Sequence, residues 1–496
     1  MATPRLTQRV VPLPAYVASL APSDLADAAR LAAEVPPEAN AIEYRLDLSH
    51  DPIPPERLMA LDARPAIVTY RTRAEGGEFD GPIAEYRRLA LEAFDAGATV
   101  DVEHASGLLE ESGLFQDRRR VIASHHAPFG LPEDWKGRLE AMRGTQARAV
   151  KLVVGAADLV ASLRAAEIQR EERDGAAVFP MGPASAPGRI LAALFGSPLV
   201  YGPVETPTAS GQVPLAELFS VYRVHERRAV EALFGIIGAD VGGSLSPMLH
   251  NALFASRGLP FLYLPLPVSD FRRAHPLELL FDPPFRGYSV THPWKVAAAA
   301  VAVPSQDVRD TGAANTLHLD RGRWRAENTD VDGIFDPLAD HETGEGRTAV
   351  ILGAGGVARA AVVACRRLGY EVAIAARRGD AADRLAEAFH VDSIAWEDTG
   401  KTESDLYVNA TSLGALENDP SAVPAEALEH RPLVFDCVYR KDGSPTATVR
   451  AARAALCPVV EGIRMFASQG VRQARLFGVE DAREEEVSRI LSEGGP

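Results

Sequence analysis

The sequence predicts an α/β protein: an N-terminal (β/α)8 barrel, then an α/β substrate domain, then a Rossmann-type dinucleotide domain. Three observations carry that prediction. Strand-like and helix-like runs alternate eight times within the first 220 residues. A glycine-rich loop, Gly353-Ala354-Gly355-Gly356-Val357-Ala358, ends a β-branched run and opens an alanine-rich one. A chain of 496 residues also has room for roughly two to four domains.

The barrel strands are expected at 16–20, 41–48, 66–71, 99–103, 120–125, 148–154, 176–181 and 198–201, with helices such as 83–96 and 156–173 between them. In such a barrel the C-terminal strand ends carry the loops that build a site, so polar residues there read as catalytic. Those ends are crowded with charge. Glu43, Arg45 and Asp47 alternate with apolar residues, yet a barrel strand has no wet face, because lumen and helices cover both sides. Arg71 ends the third run and leads into Glu75; Asp101 and Glu103 lie in the fourth; His125 and His126 close the fifth. Lys151 sits inside an otherwise apolar strand, Ala149 to Val154. An ammonium there loses hydration, which lowers its pKa and leaves an amine able to form an imine with a ketone. A lysine snorkelling from a strand edge is the plain alternative. The histidines and carboxylates converging on the same barrel mouth favour chemistry.

Beyond a charged join at 224–231, a strand at 233–238 begins the second part. Ser244 and Ser246, two residues apart before a helix start with Pro247, offer hydroxyls and N–H groups to an anion, or simply cap a helix. Lys295 and Asp330 are acid/base candidates. In the glycine loop, Gly353 permits the tight turn, Gly355 lets the backbone approach a pyrophosphate, and Ala358 lets helix and strand pack closely. The next strand, 371–376, ends in Arg377 and Arg378, where an NAD-preferring fold places Asp or Glu. Two guanidinium groups there suit a 2′-phosphate, so the expected cofactor is NADP(H); a solvated basic turn is the alternative. Asn409 and Thr411 end a later strand and would close over the nicotinamide side.

Composition narrows the class. A net charge of −16 argues against nucleic-acid or anionic-membrane partners. Cys365, Cys437 and Cys457 are odd in number and far apart, so they read as core residues of a reducing compartment. Met1 to Leu6 has no apolar signal core, and no apolar run of membrane-spanning length occurs. The expectation is a cytoplasmic protein acting on small molecules, as monomer or homodimer. The histidines are scattered, so no metal is expected.

Ordered motifs make a family resemblance specific. Residues 11–222 resemble the type I 3-dehydroquinate dehydratases through Glu43-Tyr-Arg-Leu-Asp47, the 69–77 stretch, Asp101-Val-Glu103, Ser124-His-His126, Lys151, Met181-Gly182, Arg189, Phe195-Gly-Ser197 and the 208–212 stretch. The resemblance implies that Lys151 forms an imine with the substrate ketone and that His126 moves the protons. It implies that Glu75 orients His126 and Arg189 holds the carboxylate, with Glu43, Arg45, Arg71, Thr208 and Gln212 around the ring hydroxyls. A protonated imine is an electron sink, so a histidine of near-neutral pKa suffices as base. Ala127-Pro128 stands where Asp-Phe is usual, and Gly188 where serine is common.

Residues 232–490 resemble shikimate dehydrogenase through Ser244-Leu-Ser-Pro247, Val290 to Lys295, Ala314-Asn-Thr316 and Asn328-Thr-Asp330, in that order before the glycine loop. This resemblance implies Ser244 and Ser246 on a carboxylate, and Thr291, Asn315 and Gln469 on hydroxyls. Tyr439 would face the substrate, and Lys295 with Asp330 would form the catalytic pair. The glycine loop, with Asn409, Thr411 and Gly462, would lie along the cofactor. Ser289 replaces a frequent asparagine and Gly243 a frequent histidine; keeping both serines favours shikimate over quinate. The implied domains are 1–223 (dehydratase barrel), 232–335 (substrate binding), 336–455 (NADP binding) and 456–496 (helices returning to the substrate domain). The expected function is bifunctional: dehydration of 3-dehydroquinate, then NADPH-dependent reduction of 3-dehydroshikimate to shikimate. Alternatives are quinate or NAD use in the second half, or a sensor that binds the intermediates without turnover. Lys151, His126, Lys295 and Asp330 oppose the sensor, which has no need of proton-transfer groups.

Overall fold

The computed structural model describes residues 10–111, 113–226, 228–341 and 344–493. The segment expected to lack a signal core, Met1 to Leu6, and Arg227 of the charged join lie outside the described residues. The chain forms two compact units, Met1–Ala229 and Val230–Pro496.

The first unit holds eight strands: β1 (Ala15–Leu20), β2 (Ala41–Arg45), β3 (Ala66–Thr69), β4 (Thr99–Glu103), β5 (Val121–Ala127), β6 (Ala149–Gly155), β7 (Ala177–Met181) and β8 (Leu199–Pro203). All pairings are parallel, in the order β7-β6-β5-β4-β3-β2-β1-β8. The barrel is nearly closed; among the described residues no pairing joins β7 to β8. Val17, Ile67, Ile122 and Val153 fill its core with exposures of 2% or less. Each such side chain contributes about 1.5–3 kcal/mol relative to exposure. The helices between strands are capped locally: Asp158 accepts from the Ala161 N–H at the start of Leu159–Glu172.

Two strands end earlier than expected. β2 stops at Arg45 and Leu46–Leu48 turns as a 3-10 helix, because the Arg45 guanidinium folds onto Asp47 through bonds of 2.8 and 2.9 Å. β3 stops at Thr69; the Arg71 carbonyl accepts from the Phe79 N–H instead, so Arg71 belongs to a folded-back loop.

The second unit holds two sheets. The first comprises β9 (Ala232–Gly238), β10 (Phe261–Pro267), β11 (Phe285–Val290), β12 (Val303–Pro304), β13 (Thr316–Asp320) and β14 (Arg323–Glu327), in the order β10-β9-β11-β13-β14-β12. The second comprises β15 (Thr348–Leu352), β16 (Glu371–Ala375), β17 (Asp392–Ile394), β18 (Leu406–Asn409), β19 (Leu433–Asp436) and β20 (Val459–Val460). Its order, β17-β16-β15-β18-β19-β20, is all parallel and reverses direction between β15 and β18. That switch point opens the crevice at which such sheets bind dinucleotides. The tail helix Gly462–Leu476 buries Phe466, Ala467, Val471 and Ala474 in the core formed with Phe234 and Tyr263 of the first sheet. It also packs along helix Asp330–Ala339. Among the described residues no helix is long and apolar enough to cross a membrane, and the three cysteines are free.

Candidate active sites

In the barrel, Glu43, Arg45, Arg71, Glu75, His126, Lys151, Arg189, Thr208 and Gln212 all line one cavity. The strands dictate this. Glu43 and Arg45 lie two apart on β2, so their side chains share a face. Lys151 on β6 and His126 on β5 reach the same space, and the loops after β3 and β8 supply Glu75, Thr208 and Gln212. Phe179, Met181 and Tyr201 form its apolar wall, with the Lys151 ammonium 4.8 Å from the Tyr201 ring centre.

Most of these polar groups already satisfy one another. Glu43 accepts from Ser19 (2.6 Å) and Thr69 (2.8 Å). Arg45 is held by Asp47 and the Thr208 carbonyl, and Gln212 accepts from the Thr208 N–H. Arg71 donates to Asp101 (2.8 Å), Glu103 (3.0 Å), Ser124 (3.1 Å) and Glu75 (3.3 Å). Lys151 pairs with the other oxygen of Asp101. Arg189 differs. It forms no ion pair among the described residues, its Nε has no hydrogen-bond partner there, and its guanidinium stacks 4.9 Å from the Phe179 ring centre. Burial pushes it down to about 10. It is the cation in this cavity left open to an anion.

Glu75 accepts from the His126 N–H (2.9 Å) and lies 3.1 Å from His126 Nδ1 and 3.2 Å from His125 Nδ1. Burial raises the Glu75 carboxyl, but hydrogen bonds from both histidines and the Arg71 charge outweigh it, bringing it to about 2. An ionised Glu75 only accepts, so His126 carries its proton on Nδ1 and keeps a lone pair on Nε2. Burial, then Arg71 and Lys151, pushes His126 down to about 3 in spite of Glu75. Low dielectric and two cations thus disfavour the imidazolium, below the near-neutral value expected from sequence. Sequence reasoning also missed Asp101 as the partner of Lys151 and His125 as a second donor to Glu75. Asp101 and Glu103 stand two apart on β4, a period-2 signal of a shared face, but their partners lie on other strands.

In the second unit, Ser244, Ser246, Thr291, Lys295, Asn315, Asp330, Tyr439 and Gln469 line one cavity with Val357 and Gly462. Ser246 opens helix Ser246–Ser256 after Leu245 at the N-cap, and its N–H donates to Ser244 Oγ (3.1 Å). Lys295 Nζ lies 2.5 Å from Asp330 Oδ2, while Asp330 Oδ1 accepts from Asn315 Nδ2 at 2.9 Å. Ser289, noted in the sequence only as replacing an asparagine, lines the same cavity, as does Gln473, which was not singled out.

The glycine loop divides its labour. Gly353 has φ +122, and a Cβ there would sit 2.8 Å from the Ala410 carbonyl oxygen. A Cβ on Gly356 would come within 2.8 Å of Lys295 Cβ, so this glycine seats the lysine stem. A Cβ on Gly355 would meet no atom within 4 Å; the space before it fits a phosphate approaching the backbone. Ala358 is fully buried in helix Gly356–Arg367, Ala354 is partly buried, and Val357 faces the cavity. Arg377 and Arg378 are exposed just beyond β16 and form no ion pair among the described residues. Asn409 is spent internally: it donates to Asp436 and the Leu413 carbonyl and accepts from Thr411. What Asn409 and Thr411 offer a ligand is therefore a rigid turn.

The family model for type I 3-dehydroquinase matches residues 16–228, and that for the shikimate dehydrogenase substrate binding domain matches residues 236–317. A chloroplastic bifunctional 3-dehydroquinate dehydratase/shikimate dehydrogenase of Arabidopsis thaliana is 28% identical over 486 residues, covering 92% of this chain and 80% of its own. A shikimate dehydrogenase (NADP(+)) of Maridesulfovibrio salexigens is 33% identical over 267 residues, covering 53% of this chain and 97% of its own. The solved dehydroquinate dehydratase and shikimate dehydrogenase of S. pombe AroM aligns across 98% of both chains at 22% identity, with a TM-score of 0.43.

Proposed function

Because the chain belongs to the shikimate dehydrogenase family and carries a type I 3-dehydroquinase unit ahead of it, we propose that one polypeptide runs two successive reactions. The first dehydrates 3-dehydroquinate to 3-dehydroshikimate; the second reduces 3-dehydroshikimate to shikimate with NADPH. The domains are read as 1–223, 232–335, 336–455 and 456–496, and the compartment as cytoplasmic. The observation that carries the reading is the company of Lys151 and a neutral His126 with Arg189, a buried guanidinium with no carboxylate of its own.

In the first reaction Lys151, once its ammonium has released a proton, adds to the ketone; the proton returns as water leaves, giving a protonated imine. Arg189 binds the substrate carboxylate. His126 Nε2 takes a proton from the carbon beside the imine, and the electron pair moves onto the imine nitrogen. The same pair then returns and expels the neighbouring hydroxyl, which takes its proton from His126. Water hydrolyses the imine and frees Lys151. Borohydride added with 3-dehydroquinate is expected to fix a reduced adduct on Lys151; an adduct on another lysine would sink this assignment.

His126 is a base only when neutral. With its pKa held at about 3, kcat/KM for dehydration should run flat through pH 6.5, where an ordinary histidine titrates, and fall only in more acid solution. An acid limb near pH 6.5 would contradict that depression. The same depression affects stability. The unfolded imidazole takes a proton below about pH 6.5 and the folded one does not, so stability present above that pH is lost as pH falls toward 3. The loss is on the order of 2–3 kcal/mol at pH 4.5.

In the second reaction Ser244 and Ser246 bind the carboxylate, and Thr291, Asn315, Gln469 and Tyr439 bind the ring. Lys295 and Asp330 hold the proton destined for the new hydroxyl. Bound NADPH supplies the hydride; Gly353, Gly355 and the helix N-terminus at Gly356 would hold its pyrophosphate, and Arg377 and Arg378 its 2′-phosphate. Replacing both arginines with serine is expected to raise the KM for NADPH roughly ten- to hundredfold and leave NADH use unchanged, as for loss of charge-assisted hydrogen bonds. Equal effects on both cofactors, measured side by side, would remove the arginines from cofactor choice.

A further inference from the structure

We propose that Gln473 is a positioning residue for the reduction, the middle link of a one-way hydrogen-bond chain that ends on Asp330. The proposal rests on the reading of Lys295 and Asp330 as the proton-holding pair.

Tyr263 Oη donates to Ser289 Oγ (2.7 Å), and Ser289 Oγ donates to Gln473 Oε1 (2.8 Å). Gln473 Nε2 donates to Thr316 Oγ1 (2.8 Å), and Thr316 Oγ1 donates to Asn315 Oδ1 (2.9 Å). Asn315 Nδ2 then donates to Asp330 Oδ1 (2.9 Å), whose other oxygen takes the Lys295 ammonium. The Ser289 and Thr316 hydroxyls each receive one of these bonds and give one; both amides accept on oxygen and donate from nitrogen. The direction is unbroken and ends on an anion, the arrangement in which each bond polarises the next.

The carboxylate fixes the sense of the whole chain. Turning the Asn315 amide over would set its carbonyl oxygen against Asp330 and face its NH2 toward the Thr329 N–H, which now donates to Asn315 Oδ1 at 2.8 Å. Every link is buried: Tyr263 and Thr316 are 0% exposed, Asn315 and Gln473 2%, Ser289 and Asp330 4%. At such low exposure a broken link leaves its buried neighbours unsatisfied. Gln473 is the link that the tail helix supplies. Ser289 and Thr316 are cross-strand partners on β11 and β13, and Gln473 reaches both from the tail helix. Through Thr316 it holds the Asn315 rotamer, and through Asn315 it holds Asp330 at the cavity wall.

The test uses the full chain and steady-state assays of both reactions. Gln473→Leu removes both amide ends at similar volume. Thr316→Val breaks the next link and keeps its shape, so it reads the same chain even if the first variant does not fold. Each is expected to lower kcat for 3-dehydroshikimate reduction roughly tenfold, the factor one ordinary hydrogen bond supplies. The KM for NADPH should stay within twofold, dehydration should not change, and the double variant should be no slower than the worse single one. A folded Gln473→Leu or Thr316→Val protein with kcat within twofold of wild type, or losses that multiply in the double variant, would overturn the positioning role. A wild type without shikimate dehydrogenase activity would bring down the parent reading and this proposal with it; an active wild type isolates the proposal.

Discussion

Lys151→Met is expected to lower dehydration on the order of 10⁴-fold or more while leaving the reduction at its wild-type rate. Loss of a covalent nucleophile removes the intermediate itself, and such losses are the largest that single substitutions produce. Methionine keeps most of the side-chain volume. The substitution also removes one partner of a buried ion pair, which is costly when a charge is stranded. Here Asp101 keeps Arg71 at 2.8 Å and Ser124 at 2.5 Å, so the carboxylate stays compensated and the barrel is expected to fold. Dehydration retained within tenfold in this variant would show that the ketone is activated by some other group.

Lys295→Met is expected to produce the mirror image. The aliphatic stem that lies against Gly356 is kept and only the charge is lost. Turnover of 3-dehydroshikimate should fall roughly 10²- to 10⁴-fold, the range for removal of a positioned proton donor. Cofactor affinity, read from binding of NADPH to the variant, should stay within twofold, and dehydration should not change. If binding and turnover fell together, Lys295 would be a cofactor ligand and not part of the proton-holding pair.

Legibility in the sequence followed the range of the interaction. The barrel strands could be read because alternation is local, and Lys151 stood out because an ammonium in an apolar run is anomalous wherever it occurs. The glycine loop could be read because tight turn, backbone approach and helix packing fall within one short stretch, at Gly353, Gly355 and Ala358. Asp101 could not be assigned to Lys151, since that pairing exists only once β4, β5 and β6 lie side by side. The depression of the His126 pKa was hidden for the same reason: it comes first from burial in the assembled barrel and then from cations at residues 71 and 151, far from 126 in sequence. The ends of β2 and β3 were overrun because Asp47 and Arg71 look like strand residues until their partners are known. Gln473 was invisible as a helix glutamine; only the packing of the tail helix on β11 and β13 gives it its role.

The central claim is that both reactions belong to one chain and run in series. Purified protein given 3-dehydroquinate and NADPH, with no other enzyme, tests it most directly, following the absorbance of the conjugated ketone and the oxidation of NADPH together. The account predicts that the ketone signal rises first and then yields to NADPH oxidation, and that Lys151→Met silences both signals while Lys295→Met leaves the first and blocks the second. Absence of both signals from the wild-type protein, or NADPH oxidation that survives Lys151→Met when 3-dehydroquinate is the only substrate, would contradict it.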